Sequence, residues 1–374
     1  MNYIINKEIL ENYIKTCEAL IKSLQDNLID CNDALLLKQE LVDEKKIDIN
    51  ASLLDTVITH RLDMVRLKKE HTYRVVENVD NLAKLMDVPY DFRNLAKLCA
   101  LLHDIGRFKQ ATFSNTFKDS VCFKNTGIHS HSEYGYQILK DGMINAFKIK
   151  EELKDTLCDV VLNHDVNVLC DNLNKQITSI EQLDLNNFDK NKLNIASTLV
   201  QMVRDVDKLD IFYQMLIDEI PVYKTVLKVN NIGLSNLSKY YGISENEIVS
   251  ANEDITSDKI SIPLLNVDSK LLEVPSDIKD KYFKNESMNL RELQLRDDYN
   301  FIVANWWRLS TFLNDINFKD NLSLIIDSKL LDKLYNKYPD KYKPLMIEAF
   351  VYAKELVKRQ LENSQGLIYT KKLR

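Results

Sequence analysis

The chain has 374 residues, of which 45% are hydrophobic and 28% charged, and a formal net charge of −6. That balance excludes disordered and fibrous classes and gives no general attraction for nucleic-acid phosphates. It leaves room for one large core plus an appended unit. Only 7 Gly and 6 Pro occur; hairpins and tight turns consume both, so their scarcity predicts an all-α protein of long helices joined by polar loops. The six cysteines show no CxxC spacing, the start has no leader pattern, and no apolar run reaches the ~18–20 residues that cross a bilayer. A soluble, cytoplasmic protein is expected.

Residues 1–50 read as an N-terminal helical extension, with Leu20, Leu24 and Leu28 at a four-residue spacing and a charged close from Glu40 to Lys46. Residues 51–225 carry the densest apolar periodicity and every His of the chain, and are the expected catalytic domain. Within them LAKLCALLHDIGRF sets Leu95, Leu98, Cys99 and Leu102 on one helical face, and the helix is expected to end near Gly106 in a left-handed cap. That puts His103 and Asp104 in its last turn, facing the core. Four of the seven glycines, Gly106, Gly127, Gly135 and Gly142, follow closely and predict a long loop over the site that re-enters a helix near His131.

The other histidines fall on helical stripes as well. His71 shares a face with Val75, Asn78 and Leu82; His131 with Gly135, Ile138 and Leu139; His164 continues Leu153, Leu157, Val160 and Val161. A polar stripe Thr198, Gln201, Asp205, Lys208 runs beside the apolar face of Ile195, Leu199, Met202 and Val206. Any one inward His is also an ordinary hydrogen-bonded core residue. Four of them with two acids in one block, a tandem His-Asp pair included, supply neutral nitrogen and carboxylate ligands suited to divalent cations. His129, two residues before His131, reads as a loop residue in reach of substrate, and His60 as a core or surface residue without a ligand role. Residues 226–290 turn polar and irregular, and 291–374 return to a C-terminal helical region around Trp306, Trp307 and Leu309. The basic tail from Lys354 to Arg374 reads as a solvated helix end.

His71, the pair His103-Asp104 in HDIGRF, His131 of HSEYG, His164 of NHD and Asp205 of RDVDKLD resemble the ordered H…HD…H…H…D signature of the HD superfamily, over roughly residues 55–215. The resemblance implies an all-α helical bundle. It also implies two divalent transition-metal ions (Mn, Fe, Co, Ni or Zn) on those six residues, and hydrolysis of a phosphomonoester or phosphodiester of a nucleotide or related small molecule through a hydroxide shared by the cations. The family's histidine doublet is Asn163-His164 here, a departure at the second metal. Asp104 is the expected bridge, and Arg107 and Lys208 are the expected phosphate contacts. A di-iron oxygenase and a non-catalytic metal-containing nucleotide sensor are the alternatives the same ligand set allows. An N-terminal helical arm on an all-α domain makes a homodimer an open expectation.

Overall fold

The computed structural model describes residues 7–23, 51–114, most of 117–165, 170, 173, 180–217 and most of 273–363. The fold is all-α: among the described residues helices follow one another and no strand occurs. It divides into two compact units, one running through Asp210 and the other spanning Ile211–Gly366. No described helix is long and apolar enough to cross a membrane.

The first unit contains α1 (Lys7–Lys22), α2 (Ala51–Leu85), α3 (Tyr90–Leu102), α4 (Ile105–Phe113), the single turn α5 (Asp119–Cys122), α6 (His131–Lys140), α7 (Glu151–Asn163) and α8, which starts at Phe188 and continues to Ile217. Helices α2 and α3 form an antiparallel hairpin. Its turn is closed by Asp87 in the left-handed region at φ 55° and by Val88 N–H donating to Ala83 O. Asp80 locks the two helices side by side, accepting from Arg93 at 2.6 and 2.9 Å and from Lys84 at 2.8 Å. Arg93, Lys84 and Lys97, the last at 3.4 Å, hold this carboxylate far below its ordinary range, the Arg93 hydrogen bonds leading and burial opposing them. This clamp fixes the register between His71 on α2 and His103 just past α3.

Helix α1 lays Leu10, Ile14, Cys17 and Ile21 on α2 and α4. Leu20, expected on the apolar stripe, is exposed, because the buried positions recur at four, three and four residues on a face one step round. Leu24 and Leu28 lie outside the described residues. Glu11 fastens the helix by accepting from Lys69 at 2.7 Å and from the Tyr73 hydroxyl, whose ring lies under the Lys7 ammonium.

Around the His-Asp pair the structure departs from the expected helix end. Helix α3 stops at Leu102, and Asp104 (φ −103°, ψ 21°) caps a second helix, α4, where a long loop was expected. Gly106 lies in the first turn of α4 and is not left-handed. Its role is space: a Cβ there would stand 2.2 Å from His131 O and 2.9 Å from Gly135 N, so only glycine lets α4 and α6 meet backbone to backbone. Helix α6 starts at His131 because Ser130 Oγ accepts from Glu133 N while Glu133 Oε2 accepts from His129 N, a reciprocal cap.

In the second unit α9 (Ser276–Phe283), α10 (Phe301–Asp315), α11 (Lys319–Asp327) and α12 (Leu330–Lys337) gather with α13 (Lys343–Asn363), against which α10, α11 and α12 pack. Trp306 and Tyr282 form the centre, their rings 5.1 Å apart. The Trp306 indole donates to Leu345 O at 3.1 Å and the Tyr282 hydroxyl to Ala349 O at 2.8 Å. Of the stretch read as irregular, 226–290, the structure describes only residues from 273 on, where Pro275 leads into α9.

Candidate metal centre

Four imidazoles stand in a row at the core of the first unit. His71 meets His103, His103 meets His164, and His164 meets His131, with ring centroids 5.3, 5.1 and 5.2 Å apart. All four are buried, as are Asp104 and Asp210. His103 and His164 are placed alike. Each follows a 13-residue helix, holds helical backbone angles, and sends Nδ1 to the carbonyl three residues back, Ala100 O and Val161 O, at 2.7 Å. Those carbonyls are among the last-turn acceptors that a helix leaves without an internal partner. His71 Nδ1 meets Asp210 Oδ2 at 2.6 Å, and His131 Nδ1 meets Asp119 Oδ2 at 2.9 Å and Asp165 Oδ2 at 3.3 Å.

A carbonyl or an ionised carboxylate only accepts, so each Nδ1 carries a proton, and a ring that is neutral turns its Nε2 lone pair inward. The inward atoms sort into two pockets on either side of Asp104. In the first, His71 Nε2 lies 3.3 Å from His103 Nε2, 2.9 Å from Asp207 Oδ1 and 3.5 Å from Asp104 Oδ2. His103 Nε2 lies 3.6 Å from Asp207 Oδ1 and 3.7 Å from Asp104 Oδ2. In the second, His131 Nε2 lies 3.3 Å from His164 Nε2 and 3.3 Å from Asp104 Oδ1, and His164 Nε2 lies 3.5 Å from the same oxygen. Ligands held ~2.1 Å from a tetrahedral ion stand ~3.4 Å from one another, which these spacings bracket. Lone pairs packed so closely repel unless a cation sits among them. The donor set therefore fits divalent metal, and three groups here can hold an ion: His71-His103-Asp207, His103-Asp104-His164 and His131-His164-Asp165.

Electrostatics follow the partners. Burial pushes His103 down, and Asp104 and Asp207 recover only part of it. His71, equally buried and facing Lys68, is nevertheless raised, because Asp207 and Asp210 both hydrogen-bond it. Burial and Arg107 oppose charge on His131, yet Asp165, Asp104 and Asp119 raise it to about 9. Burial works against the charge of Asp104 too. Lys68, His103 and the hydrogen bonds of His131 and His164 outweigh it and hold the carboxyl well below its ordinary range. Asp119 is lowered to about 2, with burial overcome by His131 and Arg107.

Of the expected site residues, His71, His103, Asp104, His131 and His164 come together. Asp205 is buried, and the carboxylate on His71 and His103 is that of Asp207, which lies two residues, or ~200°, round helix α8. Residues 195–206 of α8 are buried on every side, so a polar stripe did not mark the face turned to the histidines. Lys208 is half-buried and sits ~100° from Asp207. The amine on Asp104 belongs instead to Lys68, 2.7 Å from Oδ2 and one turn before His71 on α2. Arg107 is at the centre as expected. Its Nη1 donates to Gln110 Oε1, Phe117 O and Asp119 Oδ1 at 2.7 to 2.9 Å, while its buried Nε has no hydrogen-bond partner and points toward Asp104 Oδ1 at 3.8 Å. His129 is exposed beside the α6 cap, and His60 is buried in α2. Asn163 donates to Asp159 O on its own helix, so the position matching the family doublet does not face the histidines. Sequence reasoning missed Lys68, Asp119, Asp165, Asp207 and Asp210. Two of them, Asp207 and Asp210, stand in RDVDKLD, Asp165 stands in NHD, and Lys68 lies three residues before His71; nothing in the pattern marks Asp119.

Residues 69–211 match the family model of the HD domain. The histidine row and its carboxylates lie inside the matched region. No curated protein and no solved structure matches the chain.

Proposed function

We propose that the protein hydrolyses a phosphomonoester or phosphodiester of a nucleotide or related small molecule, using two divalent cations held around Asp104. The observation that carries this reading is that one carboxylate faces both pockets: Asp104 Oδ2 lies 3.5 Å from His71 Nε2 and 3.7 Å from His103 Nε2, and Oδ1 lies 3.3 Å from His131 Nε2 and 3.5 Å from His164 Nε2. Metal sites with three protein ligands keep a position for water or substrate. Bound cations would lower the pKa of a water and neutralise charge developing on phosphoryl oxygens.

The chain's own groups do the rest. Asp104 turns one oxygen to each pocket and so ties both to the same short turn between α3 and α4. Asp210, Ala100 O and Val161 O keep the imidazoles in the tautomer that faces inward. Lys68 and Arg107 flank Asp104 at 16% and 15% exposure, with the Phe117 ring 5.5 Å from each. In this reading they receive the phosphate oxygens, the unpartnered Arg107 Nε first, and Phe117 screens them from water. His129 is kept as a contact for the distal part of the substrate.

The test is phosphate or nucleoside monophosphate release under anaerobic conditions with Mn(II) or Zn(II), assayed over a panel of nucleotides and phosphodiesters. Hydrolysis without dioxygen is expected, since the reaction needs no electron transfer. Turnover that requires iron and consumes dioxygen would overturn the reading in favour of an oxygenase.

A further inference from the structure

The second pocket and the cationic clamp are joined by one side chain that neither role by itself would require. Asp119 opens the single turn α5. Its Oδ2 accepts from His131 Nδ1 at 2.9 Å, and its Oδ1 accepts from Arg107 Nη1 at 2.9 Å and Gln110 Nε2 at 3.2 Å. The segment that carries it is anchored on both sides. Cys122 Sγ donates to Ser114 Oγ at 3.0 Å, and the Phe113, Phe123 and Tyr134 rings stack edge to face at 5.6 to 6.2 Å. Phe117 O, two residues before Asp119, takes a further hydrogen bond from Arg107.

Resting on the hydrolase reading above, we propose that Asp119 is a positioning residue that couples occupancy of the second pocket to the anion clamp. One oxygen fixes the proton of His131 on Nδ1 and so aims Nε2 at the pocket. The other holds the Arg107 guanidinium with Nε turned toward Asp104. Both contacts need acceptors, and a carboxylate is the side chain of this length with two acceptor atoms. Asp165 is the rival for the first task, but it stands 3.3 Å from His131 Nδ1, and its Oδ1 is occupied by Ser132 Oγ at 2.7 Å.

Asp119→Asn keeps the shape and leaves one acceptor oxygen, so either His131 or Arg107 loses its contact with this side chain, His131 falling back on Asp165 and Arg107 on Gln110 and Phe117 O. The experiment titrates Co(II) or Zn(II) into the metal-stripped full chain against a chromophoric chelator, and separately measures kcat and KM for bis(p-nitrophenyl) phosphate. Relative to the wild type, Asp119→Asn should weaken the second binding step on the order of 10–100-fold, leave the first unchanged, and raise KM. Asp165→Asn should change the second step less. Two unaltered steps in Asp119→Asn, or a larger effect in Asp165→Asn, would overturn the proposal while leaving the hydrolase reading intact. A wild-type chain that binds no cation would overturn that reading itself, and this inference with it. Should Asp119→Asn lose its cooperative thermal transition, Asp119→Glu carries the test, because it keeps both acceptor oxygens. A second step within a few-fold of wild type supports the coupling, and a step as weak as that of a chain lacking the carboxylate contradicts it.

Discussion

The two units bury polar groups in opposite ways. The core of the second unit is mostly aromatic and aliphatic, and three of its rings donate to backbone carbonyls: Trp306 to Leu345, Tyr282 to Ala349 and Trp307 to Met288. At the centre of the first unit, four imidazoles face two carboxylates across gaps of 2.9 to 3.7 Å, beside a lysine and an arginine. A core of the first kind is complete once packed. One of the second kind holds close-packed lone pairs and buried charges that need a proton or a cation among them, so it is where a fold gives up stability in return for a binding centre.

That contrast breaks most visibly in the second unit. Trp306→Ala removes the largest fully buried side chain and should destabilise that unit by ~3–5 kcal/mol, read as an early transition in denaturant. Metal content should not change. A simultaneous loss of metal would show that the two cores are not the separate kinds described here. Next in size, Gly106→Ala forces a Cβ onto the His131 carbonyl. It should cost at least the ~1–3 kcal/mol of an overpacked core and, unlike Trp306→Ala, should lower metal occupancy, because Asp104 lies at the start of α4 and His131 at the start of α6. Unchanged stability and metal content would contradict the close approach.

Smaller still is the difference between two neighbours on α8. Asp207→Asn should weaken metal binding on the order of 10–100-fold, whereas Asp205→Asn should leave the affinity nearly unaltered; chelator competition on both variants checks the register, and the reverse order would restore the assignment read from the sequence. The least effect belongs to Tyr282→Phe, which removes one hydroxyl from Ala349 O for ~0.5–1.5 kcal/mol. A cost well above that would mean the second unit, too, depends on a polar network.

How far the sequence could be read follows the same division. The all-α fold was legible from scarce Gly and Pro, and five of the converging residues from their order along the chain together with the largely apolar stripes that lead into or out of His71, His103, His131 and His164. The choice between Asp205 and Asp207 was not legible for a physical reason: α8 is buried all round between 195 and 206, and a stripe argument needs a solvent face to set its phase. Gly106 was read as a helix stop because glycine serves both caps and close approaches, and only the position of α6 distinguishes them. Lys68 and Asp119 act across 36 and 12 residues of chain on Asp104 and His131, contacts that periodicity within one helix does not contain.

The central claim is that Asp104 joins two metal pockets. Elemental analysis of the purified wild-type chain and of Asp104→Ala, both folded by circular dichroism, tests it most directly. The account predicts close to two transition-metal ions per wild-type chain and near none in the variant, since one carboxylate supplies an oxygen to each pocket. An unchanged metal content in Asp104→Ala would contradict it.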